Sequence, residues 1–486
     1  MHCQQCKHRS SCSCVCAPLP APVSMSAPAP ASVFAPTARS GKARLAGAGL
    51  LALLGMAAAL PAWSLDLRQA YEAARANDAT VRASRAGADA SRERLPQARA
   101  QRLPNVSFSA GRNYNDLSST TQDFRGQPVT AKNSYYSGNQ TLSVRQPLYR
   151  PYLNALLRQA QAQVEDADAV LESEEQNLVT RVGEAYFDAL LARDQQLLVQ
   201  AQKTAYTTQV DAARKALQAG SGTRTDIDET QARLDLTLAQ ELEALQNVDF
   251  TRRRLEALMG MDIDTLAPLD VQRFAPSRPV PDQLAAWVER AEQESPELRA
   301  LRARLEVARQ EVDKAKAGHQ PTLDAVAQWA RSSSDSVTNI NSRYDNKVLG
   351  LQLTVPLYAG GYVTSTVRQA VAEQERARET LEAARLELGV RVHREFRGMT
   401  EGVLRISALQ QAVRSAEQAV LSNQKSYQAG SRTTVDVLNA EQQRTSAQRD
   451  LAQARYVYLV SRLRLQALTG EDQRASVAEV NRWLAP

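Results

Sequence analysis

The sequence predicts a mainly α-helical chain that contributes four strands to a membrane β-barrel and carries an internal two-fold repeat. Two proline-free runs, of 67 and 66 residues, keep an Ala/Leu/Val stripe throughout and predict very long helices. A pair of alternating segments precedes each run and predicts a β-hairpin. The second half repeats the first at an offset of 210 residues, so one helix and strand unit occurs twice.

Residues 1–64 are interpreted as an N-terminal extension followed by a signal peptide. Lys42 and Arg44 precede an apolar run, 46–60, and Ala62 and Ser64 supply the small residues of a cleavage site. A membrane anchor is the alternative, but this run is shorter than the ~20 residues that a spanning helix needs.

All five cysteines lie upstream of that apolar run, where a metal site is one interpretation. The other is that residues 1–24 are a start-codon artefact or are discarded, with Met25 as the start, because no folded scaffold would hold the ligands. The cysteines are Cys3, Cys6, Cys12, Cys14 and Cys16.

The formal net charge of +6 comes largely from this leader, which carries basic residues and no acidic ones. Without it the chain is nearly neutral. The electrostatic case for a nucleic-acid partner is therefore absent.

The first repeat is predicted to span 65–261 and to begin with a helix from Leu67 to about Arg94. Its later elements are a β-hairpin at 105–146, a long helix at 152–218 and a return helix at 226–258. The polar stretch from Asn115 to Ser134 is expected to be the hairpin loop.

The second repeat is predicted to span 296–470, and it opens with a helix from Pro296 to Ala317. A linker rich in Pro and Asp, with a short helix, precedes it at 262–295. Its later elements are a hairpin at 322–355, a long helix at 363–428 and a return helix at 436–468, before a C-terminal tail at 471–486. Each long helix would extend roughly 100 Å, and each return helix only ~50 Å.

A glycine turn joins each long helix to its return helix, and the two turns match over LQAGSGTRTDIDE and YQAGSRTTVDVLN. Small residues at both turns predict the tips of two helical hairpins. These tip residues are Gly220, Ser221, Gly222, Gly430 and Ser431.

The four strands have one apolar face and one small polar face, as in strands of an outer-membrane barrel. Soluble hairpins covering a core are the alternative interpretation. Four strands cannot close a barrel, and an open edge in lipid would leave backbone groups unsatisfied, so the chain must oligomerise. Three copies would give twelve strands and twelve helical legs around a polar lumen, although the residues alone leave the number of copies open.

The chain from Leu65 to about Gly470 resembles the TolC family of trimeric outer-membrane channels. The segments that carry this resemblance are LDLRQAYEAARAND, the duplicated Pro-Leu-Tyr corners and, most specifically, YQAGSRTTVDVLNAEQQRTSAQRDLAQARYVYLVSRLRLQALTG. The resemblance implies a homotrimer whose barrel lies in outer-membrane lipid and continues as a helical tunnel through the periplasm. It also implies a passive exit duct that works with a periplasmic adaptor and an inner-membrane transporter.

Two export roles follow from this resemblance: type I protein secretion with an ABC transporter, or multidrug efflux with a drug/proton antiporter. The form of the second turn favours secretion. The resemblance implies no cofactor, no metal and no enzymatic activity. A soluble periplasmic coiled-coil adaptor remains as a further alternative, which would leave the amphipathic strands unexplained.

The resemblance also implies a gate at the periplasmic entrance. Thr225 and Asp226 of the first turn would face Tyr427 and Arg432 of the second turn. Asp436 would belong to a ring of carboxylates at the pore mouth. Asn439 stands where the family often has a second aspartate, so cation binding at the mouth should be weaker.

Helix capping offers a structural alternative for the two aspartates. Asp226 and Asp436 would then cap their helices as N-terminal residues, worth ~1 kcal/mol each. Arg432 would be a solvated turn residue.

Overall fold

The computed structural model describes residues 64–334 and 342–485. The predicted extension and signal peptide therefore lie outside the described residues, apart from Ser64. The first half comprises α1 (Leu67–Asn77), α2 (Ala79–Arg92), α3 (Arg94–Ala100), β1 (Asn105–Gln122), β2 (Pro128–Tyr149), α4 (Pro151–Gln218) and α5 (Arg224–Met259). The second half comprises α6 (Leu284–Glu294), α7 (Pro296–Lys316), β3 (Thr322–Ser334), β4 (Ser342–Thr354), α8 (Tyr362–Gln428), α9 (Thr434–Leu468) and α10 (Gln473–Asn481).

The four strands form one antiparallel sheet in the order β1-β2-β3-β4. β1 and β2 pair from Asn105 opposite Arg145 to Gln122 opposite Pro128. β2 also pairs with β3, which joins the two hairpins. Within a single chain, the described sheet therefore leaves β1 and β4 as its two edges.

The first hairpin is longer than the sequence pattern predicts. The segment from Asn115 to Ser134, expected to be a loop, is almost entirely strand, and β1 and β2 have 18 and 22 residues. Asp123 and Gln127 close a short turn, in which Gly126 has a φ of 76°. Polar pairs across the strands, such as Thr120 with Thr130 at 2.8 Å, take the place of the missing apolar alternation.

The long helices α4 and α8 have 68 and 67 residues and are continuous from the strand corners to the glycine turns. Pro151 starts α4 at a position that needs no N–H donor. The return helices α5 and α9 have 36 and 35 residues, about half that length. Among the helices that the structure describes, none is both long and apolar enough to span a membrane.

The shorter helices flank the half of α4 that lies nearest the strands. Asp168 of α4 accepts hydrogen bonds from Arg92 of α2, the shorter at 2.7 Å, and Asp166 of α4 accepts one from Arg304 of α7 at 2.9 Å. The entering helices thus supply the packing that the short return helices leave open.

The entering helix is broken at Asp78, where a single helix from Leu67 to Arg94 was predicted. Asp78 has φ −60° and ψ 122°, and its carboxylate caps α2 at the N–H of Val81. Ser295 has almost the same angles, −59° and 122°, between α6 and α7. α6 is therefore the counterpart of α1, and both helices have 11 residues.

The core lies at mid-height, where α4 and α9 meet the short helices. Tyr186 and Phe187 of α4 and Tyr458 of α9 are almost fully buried. The Tyr186 hydroxyl lies 2.9 Å from the Leu65 carbonyl and 3.0 Å from the Ala267 carbonyl. The segment 471–486, expected to be a tail, contains α10 and joins this core, because the Tyr71 hydroxyl donates to Gln473 at 2.7 Å.

Candidate functional site at the two helical turns

Both turns reverse the chain with the same backbone geometry. Gly220 and Gly430 have φ values of 74° and 75°, in the left-handed region that favours glycine. The next residues, Ser221 and Ser431, donate backbone N–H bonds of 2.9 Å to carbonyls five residues earlier. Their hydroxyls donate to the same carbonyls, so the last turn of each long helix is capped.

Gly222 is required by close packing rather than by its φ. A Cβ at this position would lie 2.9 Å from the Leu217 nitrogen and 3.0 Å from the Ala216 Cβ. The second turn has Arg432 at the matching position, so the two turns differ in charge as well as in shape.

A capping box starts each return helix, and its N-cap is a threonine. Thr223 caps α5 and Thr433 caps α9, while Asp226 and Asp436 occupy the third helical position of each. The prediction that the aspartates are themselves the N-caps is therefore wrong. The helices begin earlier, because a threonine hydroxyl accepts from each aspartate N–H, at 3.2 and 3.3 Å, while the aspartate side chain reaches back.

These hydrogen bonds hold the pKa of both aspartates below their ordinary value. For Asp226 the main cause is the Thr223 hydroxyl, which donates at 2.6 Å. For Asp436 it is the Thr433 N–H at 3.0 Å, followed by the Thr433 hydroxyl and then Arg432. Both carboxylates are thus kept charged under conditions more acidic than an unpaired aspartate tolerates.

The predicted gate residues do not bond to one another within the described part of one chain. Thr225 is exposed and Tyr427 is half-buried. Arg432 is 57% exposed and lies 3.5 Å from Asp436 on its own helix, a weak pair. Contacts of Thr225 and Asp226 with Tyr427 and Arg432 remain a prediction for an assembly of several copies.

Arg233 joins the two tips instead, a contact that the sequence reasoning missed. From α5, its guanidinium donates to Asn439 Oδ1 at 3.0 Å and also bonds to Gln442 Oε1, both on α9. Thr434, which is 1% exposed, approaches Asp226 and helps to lower its pKa, although its hydroxyl makes no hydrogen bond of good geometry. Seven residues separate Asp226 from Arg233, which places both on one face of α5 and is the signal that could have revealed the contact.

The donor and acceptor groups at the tips are suited to binding and gating. Around the described turns, no group of three or more His, Cys, Asp or Glu side chains is placed to hold a metal ion. A symmetric assembly would bring together several copies of Asp436, and such a ring would attract cations.

Comparisons with known proteins agree with this architecture. Residues 70–261 and 287–471 match the family described as outer membrane efflux protein. The chain is 34% identical over 424 residues to the proteases secretion protein PrtF of Dickeya chrysanthemi, covering 87% of this chain and 92% of that protein. It is 32% identical over 427 residues to the outer membrane protein TolC of Vibrio cholerae, covering 87% and 94%.

A solved structure shows the same fold at lower sequence identity. The outer membrane protein VceC of Vibrio cholerae superposes with a TM-score of 0.71 at 21% identity, covering 83% of this chain and 96% of that one. The two family segments begin 217 residues apart and end 210 apart. The same change of offset separates α1 from α6 and the first turn from the second, because the second hairpin is shorter.

Proposed function

Because this chain belongs to the outer membrane efflux protein (TolC) family, we propose that three copies of it form the passive exit duct of a type I protein-secretion system. The chain is an outer-membrane channel protein, and its helical part extends into the periplasm. An inner-membrane ABC transporter would supply the energy, and a periplasmic adaptor would connect the two at the helical turns. Membership of this family sets aside the alternative of a soluble adaptor.

The open four-stranded sheet is the observation that carries the proposal of a trimer. β1 and β4 each present an unpaired edge, which lipid cannot satisfy. Pairing β1 of one copy with β4 of the next would close twelve strands in three copies. Leu349, Leu351 and Leu353 alternate with smaller or more polar residues along β4 and are 87%, 70% and 65% exposed, as a lipid-facing row would be.

The helices need neighbouring copies as well. α5 and α8 each expose large apolar side chains in one chain, and contacts between copies would bury them. On α5 they are Leu236, Leu238, Leu242, Leu245 and Phe250. On α8 they are Val371, Leu386, Val390, Leu404 and Leu421.

The gate of the duct is proposed to lie at the two turns, with Thr225, Asp226, Tyr427 and Arg432 linking copies and Asp436 forming the ring. The similarity to TolC supports this assignment, and the position of these residues at the ends of helices ~100 Å long is consistent with it. A gate of exposed pairs would depend on three symmetric sets, since each pair contributes only ~0–1 kcal/mol.

Purified protein in planar bilayers tests the channel. We expect trimers by light scattering in detergent and discrete conducting pores after reconstitution. Monomers that form no pores, even after Arg432→Ser, would overturn the proposal.

Protein secretion is separated from drug efflux by deleting the gene in its own bacterium. We expect one or a few proteins to disappear from the culture medium and to return on complementation, while drug susceptibility is unchanged. Multidrug efflux is the second candidate, favoured by the description of the matching family. Increased drug susceptibility with an unchanged set of secreted proteins would establish it instead.

A further inference from the structure

We propose that Arg233 is a latch that holds the first helical turn to the second within each subunit, with Asn439 as its principal acceptor. This inference rests on the proposed channel function, because it assigns a positioning role at the pore mouth. It also changes the role of Asn439, which would serve the latch rather than mark a missing cation ligand.

The geometry of Arg233 fits a bridge between two helices. Its Nη2 lies 3.0 Å from Asn439 Oδ1, and Nη1 bonds to Gln442 Oε1. The two acceptors are three residues apart on α9 and so lie on one face. A planar guanidinium with five donors can bind both acceptors at once, which a lysine ammonium does less well.

Few other contacts hold α5 to α9. Along the described residues of these helices, every side-chain hydrogen bond between α5 and α9 comes from Arg233. The next nearest polar approach is that of the Thr434 hydroxyl toward Asp226. Loss of Arg233 would therefore free the tip of α5 from the tip of α9.

The charges around the latch distinguish it from an ordinary ion pair. Both acceptors are neutral amides, and Arg233 forms no salt bridge in the described chain. The neighbouring Arg224 pairs with Asp228 at 3.2 Å, and Arg432 pairs with Asp436. Arg233 thus adds a positive charge beside the position where Asn439 replaces a carboxylate.

A cysteine pair tests the geometry directly. The natural sequence has no cysteine after Cys16, so Arg233→Cys with Asn439→Cys gives the processed chain a single pair of thiols. We expect a short bismaleimide to link them within one chain, as shown by peptide mass spectrometry. Asp235→Cys with Asn439→Cys is the control, because Asp235 is exposed and bonds along its own helix to Gln231. Cross-linking of the control pair alone, or only between chains, would overturn the latch.

Conductance tests its function. Arg233→Gln should raise the resting open probability roughly tenfold, the effect expected when hydrogen bonds from one charged group are lost. Arg224→Gln removes the same charge from the same helix and should leave conductance near wild type. Equal effects of the two variants would refute the latch.

Asn439→Asp separates the latch from a simple difference in ring charge. Paired with Arg233, the new carboxylate should tighten the latch and increase cation block only slightly. In Arg233→Gln/Asn439→Asp, the same carboxylate is unpaired, and cation block should rise severalfold. A strong block in the Asn439→Asp single variant would overturn the proposal. Wild-type protein that forms no pores would refute the channel function, while the cross-link would still decide the latch.

Discussion

Tyr456→Phe tests the joint at which α4 and α9 meet at mid-height. The Tyr456 hydroxyl donates to Asp194 Oδ2 at 2.7 Å, and Tyr456 is only 4% exposed. A hydrogen bond to a charged group contributes about 1.5–3 kcal/mol, and one between neutral groups about 0.5–1.5 kcal/mol. The cost of the substitution should therefore depend on whether Asp194 is charged.

The direction of the pH dependence follows from the environment of Asp194. Burial raises its pKa, against the Tyr456 hydrogen bond and the charges of Arg193 and Arg455. The native state therefore binds a proton more readily than the unfolded state, and the contribution of Asp194 to stability falls as pH rises through its folded pKa. Tyr456→Phe removes a donor that favours the carboxylate, so its cost should be greater above that pKa.

Denaturant unfolding of the protein in detergent, followed by far-UV circular dichroism at about pH 4 and about pH 8, measures this difference. We expect a loss of about 2 kcal/mol at the higher pH and about 1 kcal/mol at the lower. Tyr206→Phe is the control, because Tyr206 is also buried but accepts from the neutral Gln202 at 3.1 Å. An equal loss at both pH values would refute the reasoning, as would a pH-dependent loss in the control.

Three further predictions concern the mouth and the barrel. Thr433→Ala should cost about 1 kcal/mol of unfolding free energy through loss of the N-cap, and no loss in denaturant unfolding would contradict the capping box. Asp436→Ala should lower cation block of the pore, and in the wild type this block should persist below about pH 4, because the pKa of Asp436 is lowered; bilayer recordings across a pH series measure both effects. Leu351→Lys should reduce trimer yield from outer membranes, since a lysine facing lipid costs about 2–4 kcal/mol at the midplane, whereas Gln352→Lys on the other face should be tolerated.

The order of long helices, turns and strands could be predicted because each depends on local patterns. The two long helices begin and end within one residue of the predicted positions. The break at Asp78 was missed, although Asp is a strong N-cap residue, because a polar residue on an exposed helix face gives the same pattern. The ends of β1 and β2 were missed because cross-strand pairs such as Ser134 with Asp116 stabilise them without alternation of apolar residues.

At the candidate site, the sequence located the turns but not the contact between them. Gly220 and Gly430 follow from local backbone requirements that any helix reversal imposes. Arg233 and Asn439 are 206 positions apart, and their meeting depends on how two hairpins pack. One long basic side chain on a polar helix face looks like many others until that packing is known.

The continuity of α4 gives the joint at Asp194 a mechanical advantage. The 26 residues from Asp194 to Gly220 form a rigid arm of ~39 Å. A tilt of ~5° about the joint would move its end by ~3 Å, which is the length of the hydrogen bond from Arg233 to Asn439. Unfastening the entrance therefore requires neither unfolding nor a new helix bend, only a small rotation applied far from it.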